Sequence, residues 1–173
     1  MHASSEPVPQ DSVTELRTLG RISLWLLAFL PALLCGLEIR EHAVDVPVWD
    51  DWERAQLLEK HYAGELDLRY LASAHIDHRP LVPRLLTLVL NGVTGGDLRA
   101  EMWVGYSAVL AAAVLLAFII SRILPAGSWR WGTVFCLNLF LFSPVQYQNF
   151  LWGTQMAYLL PTFFLCLSLW GMG

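Results

Sequence analysis

Apolar residues along this chain are gathered into four long runs. The longest covers residues 102–123 and consists mostly of Ala, Val, Leu and Ile. Its length of about twenty residues is what an α-helix needs to cross the hydrocarbon core of a bilayer. Shorter apolar runs cover residues 22–37, 131–142 and 156–170. We therefore predict an all-α protein with four membrane-spanning helices, the third of them extended by flanking tryptophans.

Two polar segments separate these runs. Residues 1–20 are rich in Ser, Pro and acidic side chains, and we expect them to form a disordered tail. Residues 38–101 hold most of the charged side chains and form a long loop between the first and second runs. Within this loop, amphipathic patterns over 52–62 and 81–93 predict surface helices. The second of these contains Arg84 and is too short to span a bilayer, which favours an interfacial helix.

Basic residues beside the apolar runs predict the orientation. Arg17 and Arg21 precede the first run, and Arg122 and Arg130 lie between the second and third. Because short loops that carry Lys and Arg stay in the cytoplasm, we expect the N-terminus and this short loop to be cytoplasmic. The 38–101 loop then lies outside the inner (plasma) membrane. The long acidic tail before the first run favours an uncleaved anchor over a signal peptide.

Composition agrees with a multi-pass protein of the lipid bilayer. Hydrophobic residues make up 55% of the 173 residues, charged residues make up 15%, and the mean hydropathy is +0.47. No charged residue occurs from Trp131 to Gly173, although a soluble surface needs charge. The formal net charge of −4, with no basic run, argues against nucleic-acid binding. We assign 21–173 to one transmembrane domain, and we expect its C-terminus to be truncated because the chain stops at the end of the fourth run.

Candidate chemistry begins just beyond the first run, where Asp50 and Asp51 lie between Trp49 and Trp52. Adjacent carboxylates can coordinate a hard divalent cation such as Mg²⁺ or Mn²⁺. They can also provide a base whose proton affinity is tuned by its neighbour. The flanking tryptophans would hold the pair close to the lipid headgroups. The alternative is that one aspartate caps the helix predicted over 52–62.

A second polar cluster precedes the short interfacial run. On a helix, His75 and His78 would share a face and could bind zinc with Asp77, although no further ligand is evident. Arg79 and Arg84 favour another role, since a guanidinium group pairs with a phosphate through two hydrogen bonds. Ordinary polar residues before an interfacial helix would give the same pattern.

A third feature joins the third and fourth runs. The turn over 144–155 is rich in amides and aromatic rings, among them Gln146, Gln148, Asn149 and Trp152. Amides can hydrogen-bond the hydroxyl groups of a sugar while aromatic rings stack on its faces. The same composition is also typical of an ordinary membrane-interface belt.

Taken in order, these segments resemble the start of the membrane-embedded C-type glycosyltransferase superfamily. Residues 49–53 (WDDWE) match the first outer loop of that superfamily, which carries an essential acid. Residues 75–85 (HIDHRPLVPRL) and 142–153 (FSPVQYQNFLWG) are similar to motifs of an uncharacterised bacterial subgroup. The resemblance covers most of the chain from Trp49 onward. Members usually have many more spans, so the resemblance also implies that this chain is an N-terminal part.

The resemblance implies transfer of a sugar from a polyprenyl phosphate to a cell-envelope acceptor on the outer face. Asp50 or Asp51 would be the catalytic base and a ligand of a divalent cation, while His78 and Arg79 would stabilise the leaving phosphate. The full set of implied substrate-binding residues is His75, His78, Arg79, Arg84, Gln146, Gln148, Asn149 and Trp152. The alternative is a small non-enzymatic membrane protein that acts as an assembly or flippase partner. A transporter is disfavoured, because the runs carry no charged residue at mid-membrane.

Overall fold

The computed structural model describes residues 10–75 and 78–172, with side chains from Thr18 onward, and its regular elements there are helical. The all-α prediction is therefore confirmed for these residues. The α-helices are α1 (Gln10–Ala28), α2 (Leu30–His42), α3 (Trp52–Tyr62), α4 (Leu68–Leu71), α5 (Leu81–Thr94), α6 (Arg99–Ile123), α7 (Ser128–Leu141), α8 (Tyr147–Leu151) and α9 (Met156–Gly171). Short 3₁₀ turns cover Trp49–Asp51, Pro144–Gln146 and Gly153–Gln155.

The first apolar run is broken into two helices. Helices α1 and α2 meet at Phe29 with a bend of 52°. Pro31, in the first turn of α2, causes the break because its ring clashes with the preceding turn and it has no N–H to donate. Helix α1 begins at Gln10. This helix therefore includes part of the segment predicted to be a disordered tail, and residues 1–9 lie outside the described part of the chain.

Helix α6 is the clearest candidate membrane span. Within the described residues, it alone is long and apolar enough to cross a bilayer as one helix, and the bent pair Thr18–Ala28 with Leu30–His42 meets the same test jointly. The third and fourth apolar runs form α7 and α9, of 14 and 16 residues. Since a straight span needs about 20 residues, four spans remain a prediction.

Helix α6 is the centre of the packing. Its small residues Gly105, Ala112 and Ala113 are buried, which lets neighbouring helices approach closely. A Cβ atom at Gly105 would lie 2.9 Å from Leu159 Cδ1, and Met156 Cα is 3.5 Å from the same point. Helix α9 therefore starts beside the start of α6.

The other neighbours of α6 are held at both of its ends. Tyr106 donates a hydrogen bond of 3.0 Å to the carbonyl of Ala32 in α2, and Asp45 beyond α2 accepts one of 2.8 Å from Leu98 N. At the far end, Ala117 packs with residues of α1 and α7 in a second small core. The segment after α2 and the start of α9 consequently meet at one end of α6.

The two surface helices predicted for the long loop are confirmed. Helix α3 has the predicted bounds, and α5 ends one residue later than predicted. They are joined by a hydrogen bond of 2.7 Å from Asn91 Nδ2 to the hydroxyl of Tyr62. Gly95, with φ of 69°, ends α5 in the left-handed conformation that glycine adopts without steric cost. Both helices reach the same end of α6.

Candidate functional site

A polar cavity of about 60 Å³ opens where the long loop meets the starts of α6 and α9. It is walled by α3, by the segment after α4, by α5 and α6, and by the turn before α9. Its charged and imidazole side chains are Asp50, Glu53, Arg54, His75, His78, Arg84 and Glu101. Of the six site residues predicted in the long loop, Asp50, His75, His78 and Arg84 line this cavity, while Asp51 and Arg79 do not.

Asp51 is buried and has a structural role. Its side chain is only 3% exposed. One carboxylate oxygen accepts hydrogen bonds from the backbone N–H of Thr154, at 3.0 Å, and from the Thr154 hydroxyl. The other accepts from Val48 N at 3.1 Å, while the first N–H groups of α3 donate no hydrogen bond to this side chain. Asp51 thus ties the loop to the turn before α9 instead of capping α3 through its carboxylate.

Asp50 lies at the rim of the cavity with a free carboxylate. This side chain is exposed, and its carboxylate accepts no hydrogen bond from the part of the chain that the structure describes. The residue before it, Trp49, has φ of 48°, a left-handed conformation that is uncommon for a bulky side chain. The Trp49 ring packs edge-on against Trp152, with centroids 5.5 Å apart. This contact fixes the turn that presents Asp50.

The two aspartates do not form a good pair of ligands for a divalent cation. Both oxygens of Asp51 already accept hydrogen bonds from protein groups, so Asp50 would bind the ion alone. Among residues 10–75 and 78–172, no group of three His, Cys, Asp or Glu side chains is placed to hold a metal ion. Asp77, the third ligand considered for zinc, lies outside the described residues. We therefore assign no step to a resident Mg²⁺ or Mn²⁺ ion.

The spacing of His75 and His78 suggested a shared helix face, but the two residues do not lie on a helix. Their backbones instead exchange two hydrogen bonds, of 2.8 and 3.0 Å, as an isolated antiparallel bridge. Glu53 of α3 holds His75, with 2.5 Å between Glu53 Oε1 and Nδ1 of the ring. The His78 ring lies edge-on to that of His75 and also contacts Tyr158 of α9. Both rings are therefore fixed on the cavity wall.

The two predicted phosphate-binding arginines differ in their surroundings. Arg84 Nη1 donates to the carbonyls of Tyr70, Leu71 and Ser73 at 2.8 to 3.1 Å. Its guanidinium also lies 5.2 Å from the centre of the Tyr70 ring. Arg84 therefore holds the C-terminal end of α4 and also lines the cavity. Arg79 is exposed and is not among the residues that line the cavity.

The amide-rich turn is used mainly for local bonds. Gln146 donates to the Phe140 carbonyl at 2.6 Å and accepts from Asn149 at 3.2 Å. Gln148 donates to the hydroxyl of its neighbour, Tyr147, at 3.2 Å. These three amides are not among the residues that line the cavity.

Trp152 and Thr154 connect this turn to the acidic loop. The Trp152 indole donates a hydrogen bond of 3.0 Å to the Val48 carbonyl, beside the bonds between Thr154 and Asp51. The acidic and the amide-rich motifs are thus neighbours in space, although about a hundred residues separate them in sequence.

The most deeply buried charges at the cavity were not predicted. Glu101, at the start of α6, is 3% exposed. The distance from its Oε1 atom to Nε of Arg54 is 3.2 Å. The only hint in the sequence is a carboxylate directly before the longest apolar run. Outside the cavity, a side-chain hydrogen bond from Arg99 lowers the pKa of Asp97.

Models of known protein families, characterised proteins and solved structures were compared with this chain, and none matches it. The geometry of the cavity is therefore the basis for interpreting function.

Proposed function

We propose that this chain is the N-terminal part of a polytopic inner-membrane glycosyltransferase that uses a polyprenyl-phosphate sugar donor on the outer face. The observation that carries the proposal is the cavity itself. It combines the free carboxylate of Asp50 with the Glu53–His75 pair and with Arg84, at one end of an apolar helix that is long enough to span a bilayer. Titratable groups that are paired in a concave site are candidates for catalysis.

The apolar outer surface supports membrane insertion. Large hydrophobic side chains point outward from several helices, including Leu26 of α1 at 69% exposure and Phe140 of α7 at 77%. Leu33 of α2 and Leu165 of α9 are also more than half exposed. Exposed hydrophobic side chains in such number are expected where lipid surrounds a protein.

The ends of α6 support an outward-facing cavity. Glu101 lines the cavity near the start of the helix, and Arg122 lies in the last turn. Near that far end, Trp25 of α1 packs on Trp131, the neighbour of Arg130, with ring centroids 4.8 Å apart. The basic residues therefore gather at the end opposite the cavity. If they stay in the cytoplasm, the cavity opens on the outer face.

Asp50 is the best candidate for the base. In the proposed reaction its carboxylate takes the proton of an acceptor hydroxyl while the acceptor oxygen bonds to the anomeric carbon of the sugar. The bond between that carbon and the phosphate oxygen breaks, and the polyprenyl phosphate leaves with the bonding electrons. His78 and Arg84, which line the cavity, would stabilise the charge on the leaving phosphate. Asp51 would position Asp50 through its bonds to Thr154.

A transfer assay tests this proposal. Membranes containing the complete gene product would be supplied with a panel of polyprenyl-phosphate sugars, and transfer to envelope acceptors would be measured. We expect Asp50→Asn to lower transfer by about 100-fold or more, since a general base contributes at least that much. Glu59→Gln is the control, because Glu59 is an exposed acid of α3 that does not line the cavity. Undiminished transfer in Asp50→Asn would refute the assignment.

The second candidate is a non-enzymatic assembly or flippase partner. The structural use of Asp51, which ties two loop segments together, is what a docking scaffold needs. In that case a partner protein would co-purify with the chain. Charge reversal at the exposed face of α3 would abolish this co-purification. Retention of the partner together with the absence of transfer for every donor would favour this role.

A further inference from the structure

Arg54 and Glu101 form an ion pair whose hydrogen-bonding capacity is only partly used. Their side chains are 13% and 3% exposed. The Nε atom of Arg54 lies 3.2 Å from Oε1 of Glu101 but does not point at it as a hydrogen bond requires. Within the part of the chain that the structure describes, Nε and Nη2 of Arg54 and Oε1 of Glu101 have no hydrogen-bond partner. Buried polar atoms are nearly always hydrogen-bonded, so these three atoms are available to bind polar groups of a ligand.

The two side chains face the cavity from different elements. Arg54 comes from α3 and Glu101 from α6, and both line the same space. Gly153 packs against Glu101 so closely that a Cβ atom there would lie 3.1 Å from Oε2. The carboxylate is therefore fixed on one side by backbone, and its other oxygen is directed toward Arg54 and the cavity.

The chemistry of the pair selects the kind of group that fits. A guanidinium group offers only donors, and a carboxylate offers only acceptors. A hydroxyl can satisfy both at once, because it donates its proton to the carboxylate and accepts from the guanidinium. Two hydroxyls on adjacent carbons can reach both partners from one rigid frame, whereas a phosphate, which only accepts, would be repelled by Glu101.

We infer that Arg54 and Glu101 bind vicinal hydroxyl groups of a sugar. The cavity of about 60 Å³ is far smaller than the roughly 300 Å³ at which pockets for whole ligands begin. It therefore takes only the hydroxyl edge of a ring, and the anomeric side stays at the rim beside Asp50. The inference deepens the proposed function, and rests on it for the role of the bound sugar.

The same diol chemistry occurs in the glycerol headgroup of phosphatidylglycerol. The structure favours a sugar, because the phosphate of that lipid is attached to the carbon next to its diol and would be held close to the buried carboxylate of Glu101, which would repel it. The test must still separate the two sources.

Ligand binding by the purified full chain tests the inference directly. Saturation-transfer NMR in a detergent free of sugar headgroups would be recorded with methyl glucoside, mannoside, galactoside and N-acetylglucosaminide. We expect a signal from at least one glycoside, and at least tenfold weaker binding in Arg54→Met and in Glu101→Gln. Glu59→Gln is the matched control and should bind as the wild type does. Thermal unfolding of each variant shows whether it is folded.

A second variant keeps the test valid if the ion-pair variants fail to fold. Ala157 lines the cavity from α9, so Ala157→Phe should fill the space and block the glycoside while the charge pair stays intact. Absence of signal for every glycoside, unchanged affinity in folded variants, or binding of phosphatidylglycerol in nanodiscs in place of glycosides would each overturn the inference. Glycoside binding without any transfer from polyprenyl phosphates would leave this inference standing and remove the proposed function.

Discussion

At the scale of single residues, the two adjacent aspartates have opposite environments. Asp51 is enclosed between the Val48 amide and Thr154, and both of its oxygens are used. Asp50, one position earlier, has an exposed carboxylate with no bond to the described residues. Buried carboxylates that accept several hydrogen bonds stabilise a fold, while a free one at a cavity rim can exchange protons with a ligand.

Replacement of each aspartate by asparagine should separate these roles. Asp51→Asn turns one acceptor oxygen into an NH₂ group that must face an N–H or hydroxyl donor. We expect a loss of about 2–3 kcal/mol in the free energy of unfolding, because hydrogen bonds to buried charged groups are worth that much. Asp50→Asn, on the surface, should change it by no more than about 0.5 kcal/mol.

Thermal or denaturant unfolding of the detergent-solubilised protein would measure both variants. Equal stability of the two would show that the bonds from Asp51 to Thr154 and Val48 do not hold the loop on the turn before α9. A large loss in Asp50→Asn would instead reveal a structural role for that carboxylate.

At the scale of elements, close contact between α6 and α9 determines where the cavity forms. Gly105 gives Met156 and Leu159 access to the surface of α6. The turn before α9 then lies against Glu101 and Asp51, so the catalytic candidates depend on this packing. Small residues at such a crossing are typical of helices that associate through backbone proximity.

A bulky residue at position 105 should therefore separate the two helices. Gly105→Leu must displace Leu159 and the backbone at Met156, and we expect a destabilisation of about 1–3 kcal/mol, as for other overpacked cores. The control is Gly132→Leu on α7, where a Cβ atom would meet nothing within 4 Å. The melting temperatures of the two variants decide the matter, and equal values would mean that α6 and α9 do not pack through Gly105.

The pattern of apolar residues predicts α3, α5 and α6 because each carries a continuous periodic or apolar signal within its own segment. It does not predict the bend at Phe29, since the run of apolar residues continues unbroken on both sides of Pro31. Hydrophobicity measures only transfer into an apolar environment. The missing N–H of a proline has to be considered separately.

The candidate site is predicted in part for a related reason. Asp50, His75 and His78 stand out because each lies close in sequence to a residue of the same type. The Arg54–Glu101 pair does not, since its partners come from different helices and meet only after α3 folds onto α6. Asp51 resembles Asp50 in sequence, and only the position of Thr154 shows that its role differs.

At the scale of the whole molecule, charge and apolar surface are distributed along one axis. The cavity and the long loop lie at the start of α6, and Arg122 and Arg130 lie at its other end. The helices between them expose large hydrophobic side chains. A bilayer would stabilise a molecule with charged surface at both ends and apolar surface between them, and the positive-inside rule would place the basic end in the cytoplasm.

Site-directed labelling would test this arrangement. After Cys35, Cys136 and Cys166 are replaced by alanine, single cysteines would be introduced as Glu59→Cys on α3 and Gly127→Cys between α6 and α7. We expect a membrane-impermeant maleimide to label position 59 in intact cells and position 127 only after permeabilisation, because the short loop beside Arg122 and Arg130 should stay inside. Labelling of both from the outside would mean that α6 does not separate them across a bilayer. The reverse pattern would place the cavity in the cytoplasm, where an outer-face donor could not reach Asp50.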